Sequence, residues 1–166
     1  GPRALGNRSI LADPRRGEMQ DHLNAKVKHR EMYRPYAPSV LDEAVKEWYP
    51  DSPYSPFMSF TSTVRADRAE RVPAVTHVDG TARVQSVRAD VAPLYHRLIS
   101  SFARRTGVPL VLNTSLNDKE PICCSPADAV RCFDQTEIDA LFLGDRLMLR
   151  DSVEWAPASE QAAEAL

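Results

Sequence analysis

Apolar and polar positions change period several times along the chain, and each change marks an element. Between Glu18 and Val27, Met19, Leu23 and Val27 recur every fourth residue, the spacing of one buried helix face. Ser39-Val40-Leu41 is a short apolar strand, and residues 42–48 fit one or two turns of helix capped by Asp42. Pro50, Pro53 and Pro56 forbid regular structure and enforce a loop. The aromatic and β-branched run Phe57–Val64 predicts a strand, and 65–71 a charged surface connector.

Ala74–Val78, an Asp79-Gly80 turn and Thr81–Val87 predict a hairpin, with Thr81, Arg83 and Gln85 on one face of its second strand. Asp90 would cap a helix over 91–106 whose stripe of Val91, Leu94, Leu98, Ile99 and Phe102 faces inward, and Gly107 would end it. Pro109–Leu112 is wholly apolar, as a central strand should be. It delivers Asn113-Thr114-Ser115-Leu116-Asn117 at its carboxyl end, where open α/β sheets bind ligands. Ser125, Pro126 and Asp128 spell a capping box for a helix to about Asp134, with Ala129, Val130 and Phe133 inward. Ala140–Leu143 and Leu147–Leu149 flank a Gly144-Asp145 turn, a final hairpin. The fold class is therefore α/β, with helices around a sheet that two hairpins prevent from being purely parallel.

At 166 residues the chain has the size of one domain, and its 21 Lys and Arg nearly cancel its 23 Asp and Glu. Any attraction for anions must then be local, and nucleic acid is an unlikely partner. No apolar run reaches about 18 residues and no leader pattern opens the chain, so we expect a cytoplasmic protein with no membrane partner. Gly1 in place of an initiator methionine suggests a piece of a longer polypeptide, with a domain over 1–151 and an Ala/Glu/Ser-rich flexible tail over 152–166. Cys123, Cys124 and Cys132 suit neither a disulfide framework nor a zinc site and read as reduced, buried packing residues.

The chemistry concentrates between Lys26 and Pro38. Lys26, Lys28, Arg30 and Arg34 lie at even spacing, so an extended segment would project them from one face as a row of cations suited to phosphate. Arg3 and Arg8 sit in a glycine-bearing loop that permits close backbone approach to a ligand. With the Thr81/Arg83/Gln85 face and the Asn113–Asn117 corner, these make four candidate segments for a site that stabilises transferring phosphoryl or nucleotidyl charge. Thr114 and Ser115 could donate to phosphate or help hold magnesium. No Walker-type glycine loop is present. His22, His29, His77 and His96 are scattered, with His29 and His77 worth testing, and Asp79 and Asp118 are possible acid-base or metal partners.

Five ordered blocks resemble one family: Gly1-Pro2-Arg3-Ala4-Leu5-Gly6-Asn7-Arg8-Ser9, Leu23–Arg30, Arg34-Pro35-Tyr36-Ala37-Pro38, His77–Gln85, and Asn113–Asn117 with Glu120-Pro121. They are similar to the C-terminal region of the O-carbamoyltransferases that modify nodulation factors and antibiotics. The resemblance covers Gly1 to about Asp151 and implies a YrdC-like twisted mixed sheet with flanking helices. It implies formation of carbamoyl-adenylate from carbamoyl phosphate and ATP with Mg2+, for transfer to a hydroxyl by a Kae1-like, actin-type ATPase-fold N-terminal domain that this chain lacks. Lys28, Arg30, Ser115 and Asn117 then become the catalytic set. Arg3, Arg8, Arg34, His77, Thr81, Arg83, Asn113 and Thr114 become substrate or nucleotide contacts, and no metal ligand is specified. The alternatives are a stand-alone RNA- or nucleotide-binding module of the YrdC type, or a threonylcarbamoyl-adenylate synthase.

Overall fold

The computed structural model describes residues 3–151, so the expectations for Gly1, Pro2 and the 152–166 tail lie outside the described residues. In chain order the elements begin with β1 (Ser9–Ala12), α1 (Glu18–His22) continued by a π-helical turn over Leu23–Val27, β2 (Ala37–Leu41) and α2 (Val45–Trp48). Next come β3 (Thr61–Thr63), α3 (Ala66–Ala69), β4 (Thr81–Arg83), β5 (Gln85–Val87) and α4 (Pro93–Thr106). The last are β6 (Leu110–Ser115), α5 (Pro126–Gln135), β7 (Ala140–Leu143) and β8 (Arg146–Leu149).

The main sheet runs β1-β6-β2-β5. β6 pairs antiparallel with both β1 and β2, whereas β2 pairs parallel with β5, so the sheet is mixed as expected. β6 is central because its residues Leu110, Val111 and Leu112 are buried on both faces. One face meets a cluster built from Val40, Trp48, Val84, Leu110 and Leu112 together with the α1 face residues Leu23 and Val27. The other, through Leu41, Val87 and Val111, meets Tyr95 and Ile99 of α4. Side chains of this kind each contribute roughly 1.5–3 kcal/mol when buried, which makes the sheet a rigid base for whatever its ends carry.

Several local expectations change. The run Thr81–Val87 does not pair with 74–78, where Pro73–Val75 forms a 3-10 turn. It breaks at Val84: β4 pairs with β3 and β5 pairs with β2, so one stretch of chain serves two sheets. The Asp79-Gly80 turn is present, with Gly80 at φ +77°. Only Thr61–Thr63 of the expected 57–64 strand is extended, because Met58 adopts a left-handed conformation at φ +57° and turns the chain. Asp42 begins a 3-10 turn instead of capping a helix. Asp90 pairs with Arg88, leaving α4 to start at Pro93 behind Ala92. Of the expected stripe, Ile99 is buried and Phe102 packs against the core, with Tyr95 buried beside them, while Val91, Leu94 and Leu98 are exposed. The Gly107 C-cap and the Ser125/Asp128 capping box form as read. On α5 the inward residues are Ala129, Cys132 and Phe133, with Val130 only partly covered. Cys123 and Cys132 are buried as expected but Cys124 is exposed, and all three thiols are free.

Candidate functional site

A cavity of about 860 Å³ opens at the end of the main sheet, a size typical of ligand pockets. Arg3, Arg8, Arg30, Arg34 and Arg83 line it, with His77, Gln85, Asn113, Thr114 and Ser115, and none of its lining residues is acidic. The β1–β6 register, with Ser9 opposite Ser115, brings the Arg3–Arg8 loop beside the Asn113–Ser115 corner. The β3–β4 pairing sets Thr61 opposite Arg83 and closes the far wall. Among the described residues the non-glycine residues with positive φ are Leu5, His29 and Met58, and all three lie in segments that border this cavity. Backbone strain of that kind is kept where function over-determines geometry.

The basic stretch is not extended, and its row of cations splits. Lys26 stays on the helix and pairs with Glu137 at the surface. The π-helical turn, closed by Lys28 N–H donating to the Leu23 carbonyl at 2.8 Å, swings Lys28 inward. There Lys28 is 4% exposed, and its Nζ donates to the Ser115 carbonyl (2.9 Å), the Asn117 carbonyl (2.7 Å) and Asn117 Oδ1 (2.8 Å). Burial, and then the positive charge of Arg30, lower its pKa to about 8. Ser115 Oγ–H also donates to Asn117 Oδ1 at 2.6 Å, while Asn117 Nδ2 holds the carbonyls of Asp118 and Glu120. Lys28 and Asn117 thus form a buried clamp behind Ser115, and neither is among the residues lining the cavity.

Arg30 and Arg34 do line it, and a residue outside the expected site set puts them there. Asn24 is fully buried, its Nδ2 donating to the carbonyls of Met32 and Arg34, each at 3.1 Å. Its Oδ1 accepts from Arg30 Nε and from Tyr36 Oη, each at 2.8 Å. Arg30 also lies over the Tyr36 ring, 4.5 Å from the centroid. The sequence signal was available: Gln20 and Asn24 share a helix face four residues apart, and Gln20 reaches the same two carbonyls.

Of the remaining expected residues, His77 lines the cavity and Thr81 stands behind it. Asp79 Oδ1 accepts from the Thr81 hydroxyl at 2.7 Å, and that hydrogen bond is the leading cause lowering the Asp79 pKa. The Thr81 oxygen is then an acceptor for His77 Nδ1–H at 3.2 Å, which leaves His77 Nε2 as the acceptor nitrogen in the neutral ring. Arg8 reaches from the loop to the Cys123 carbonyl at 2.9 Å. His29 is bound to Asp118 at 3.0 Å.

The sequence over nearly its whole length matches a known protein family. Residues 1–150 match the family described as carbamoyltransferase C-terminus. The chain belongs to that family. It is 53% identical over 152 residues to nodulation protein NolNO of Sinorhizobium fredii, covering 89% of this chain and 22% of that protein. It is 48% identical over 170 residues to nodulation protein NolO of Bradyrhizobium diazoefficiens, covering 100% of this chain and 30% of that protein. It is 42% identical over 149 residues to 3'-hydroxymethylcephem-O-carbamoyltransferase of Amycolatopsis lactamdurans, covering 87% of this chain and 28% of that protein. The chain spans less than a third of the length of each of these relatives.

In this carbamoyltransferase C-terminal domain the cysteines take no part in the cavity. Burial, and then the neighbouring Cys123, push the Cys132 thiol up to about 11, the opposite of what a nucleophile needs. Among the described residues no group of three His, Cys, Asp or Glu could hold a metal ion. The described helices include none long and apolar enough to cross a membrane.

Proposed function

We propose that the domain is the adenylate-forming part of an O-carbamoyltransferase, its cavity taking carbamoyl phosphate together with MgATP. The observation that carries this reading is a cavity lining that holds five arginines and no acidic residue, although Arg34 also pairs with Glu31 at 3.8 Å outside the lining. Guanidinium groups suit phosphate oxygens, and a cavity lined by one sign of charge concentrates a polyanionic substrate pair. Magnesium enters as part of the nucleotide. The lining contributes no carboxylate toward it, only neutral groups such as the hydroxyls of Ser9, Thr114 and Ser115, which fits an ion held chiefly by phosphate oxygens and water. The family membership and a relative named as an O-carbamoyltransferase support the carbamoyl group as cargo.

The chemistry closes with one water. Water opens carbamoyl phosphate to carbamate and phosphate. A carbamate oxygen then attacks the α-phosphorus of ATP, forming the new O–P bond as the bond to pyrophosphate breaks. Both stages shift negative charge between oxygens, which fixed arginines stabilise without reorganising. In this reading Arg30 and Arg34 hold phosphate from one side, Arg3, Arg8 and Arg83 from the other, and Ser115 donates from the floor. His77 Nε2 accepts the proton released by water. The Lys28–Asn117 clamp fixes the height of Ser115. A second part of the same polypeptide, of actin-type ATPase fold, would pass the carbamoyl group to a hydroxyl.

Incubation with ATP, Mg2+ and carbamoyl phosphate should release pyrophosphate and phosphate in equal amounts, with neither appearing when carbamoyl phosphate is withheld. Arg30→Ala should weaken ATP binding about 10-fold or more, since a hydrogen bond to a charged group contributes roughly 1.5–3 kcal/mol. Pyrophosphate release indifferent to carbamoyl phosphate would overturn the reading.

A further inference from the structure

The floor of the cavity is polar where a sheet interior is normally apolar. Ser39, Gln85 and Asn113 are 0%, 2% and 6% exposed. By strand alternation they share the face that carries Leu41, Val87 and Val111 toward α4. The parallel register sets Ser39 opposite Gln85, and the antiparallel one sets Asn113 opposite Ala37, one step diagonally from Ser39.

One backbone carbonyl fixes the direction of every hydrogen bond in this group. The Pro56 carbonyl can only accept, so the Gln85 atom 2.9 Å from it is Nε2 and Oε1 faces the other way. Gln85 Oε1 can likewise only accept. Ser39 therefore donates its hydroxyl proton to it at 2.6 Å, and Asn113 presents Nδ2 to it at 2.9 Å. The second Nδ2 proton goes to Ser39 Oγ at 2.8 Å. Reversing the Asn113 amide would place its oxygen against Gln85 Oε1, so the orientation is locked. Both donors are used, and Asn113 Oδ1 makes no hydrogen bond within the group, in a side chain that lines the cavity and lies beside the buried, unpaired hydroxyl of Tyr95.

Every charged group in the cavity wall is a donor, and a locked amide carbonyl stands among them. A ligand made only of anionic oxygens would satisfy the arginines and set an oxygen against this lone pair. A ligand carrying an amino group beside its phosphate satisfies both. We infer that Asn113 reads the amino group of the substrate, its side-chain carbonyl accepting from the carbamoyl –NH2, so that the pocket prefers carbamoyl phosphate to other acyl phosphates. Ser39 and Gln85 are its positioning residues, and the Pro56 carbonyl is the anchor. The assignment rests on the carbamoyl phosphate reading of the cavity and adds the group that selects it.

Two stable analogues separate the cases: phosphonoacetamide and acetonylphosphonate, which mimic carbamoyl and acetyl phosphate and differ only by amino against methyl. Calorimetric titration of the unaltered chain should show phosphonoacetamide binding about 10-fold or more tightly, the consequence of leaving a buried acceptor unpaired. Asn113→Ala should bring the two affinities to within about 2-fold by weakening the amide analogue alone. Equal affinities in the unaltered chain would overturn the assignment while leaving a phosphate site in place. Parallel loss of both ligands in the variant would make Asn113 a structural post and would also overturn it. Binding of neither analogue to the unaltered chain would remove the carbamoyl phosphate reading and this one with it. The first comparison uses no mutation, so a variant that fails to fold cannot hide the answer.

Discussion

Lys28 is the sharpest test of how the site is supported. Its ammonium is buried with three carbonyl acceptors and no carboxylate, and its pKa falls to about 8 from an ordinary 10.5. In the unfolded chain it holds its proton up to the ordinary value. Between the two values the unfolded state therefore binds more protons, and the Lys28 contribution to stability grows as pH rises. It is full only above the unfolded pKa and is lost as pH falls through about 8. From about pH 7 to about pH 9.5 the gain is roughly 2 kcal/mol for a shift of this size. Lys28→Met removes the titration while keeping most of the volume. It leaves three acceptors without a donor, a cost of roughly 1–3 kcal/mol that regained desolvation partly offsets, so the absolute change at one pH decides little. The slope decides. Urea unfolding of both proteins, followed by fluorescence of the buried Trp48, gives the difference in stability at each pH. Subtraction cancels Tyr36, Tyr49 and Tyr95, whose phenols burial pushes upward, and the unfolded-state ionisation of the cysteines. A difference that stays flat or falls over that range would refute a depressed, buried ammonium.

Two further substitutions probe the frame. Gly6→Ala places a Cβ 2.9 Å from the Tyr95 ring at a φ of +83°, so it should cost about 1–3 kcal/mol and lower the melting temperature. Because Gly6 lies between Arg3 and Arg8, ATP affinity should fall with it. Ser125→Ala removes the acceptor for Asp128 N–H at 3.2 Å and leaves the other half of the capping box, the backbone N–H of residue 125 donating to the Asp128 carboxylate, in place; about 1 kcal/mol of stability should go, read in the same urea assay. Equal stability in the latter variant would mean that Asp128, held down to about 2 first by the Cys124 N–H, caps the helix without Ser125.

Where the sequence was informative, a local rule sufficed. The Asn113–Ser115 corner follows from an apolar run ending in polar residues, and the α5 cap from three residues at fixed offsets. The arginines of the cavity were legible as cations seeking an anion. The common wall they form was not, because it depends on β1 crossing to β6 and on a chain that leaves one sheet for another at Val84. Periodicity placed Ile99 and Phe102 of the α4 stripe correctly but joined to them Leu94 and Leu98, which sit one residue round the helix from the buried Tyr95 and Ile99 and face outward. Lys28 was visible as a charge, but only the π-helical turn, which no pattern announced, shows that it points into the protein. Asn24 carried no charge and its only local signal was the helix face it shares with Gln20, yet four hydrogen bonds converge on it.

The break at Val84 has a mechanical meaning for the cavity. Arg83 and Gln85 are neighbours but one in the chain, and they belong to different sheets. His77, tied to Thr81 through its backbone N–H, goes with Arg83, while Asn113 goes with Gln85. The fully buried Val84 is the link between the two sheets in this stretch. A rotation of one sheet against the other would part Arg83 and His77 from Gln85 and Asn113, and a ligand touching both pairs would work as a latch across the seam.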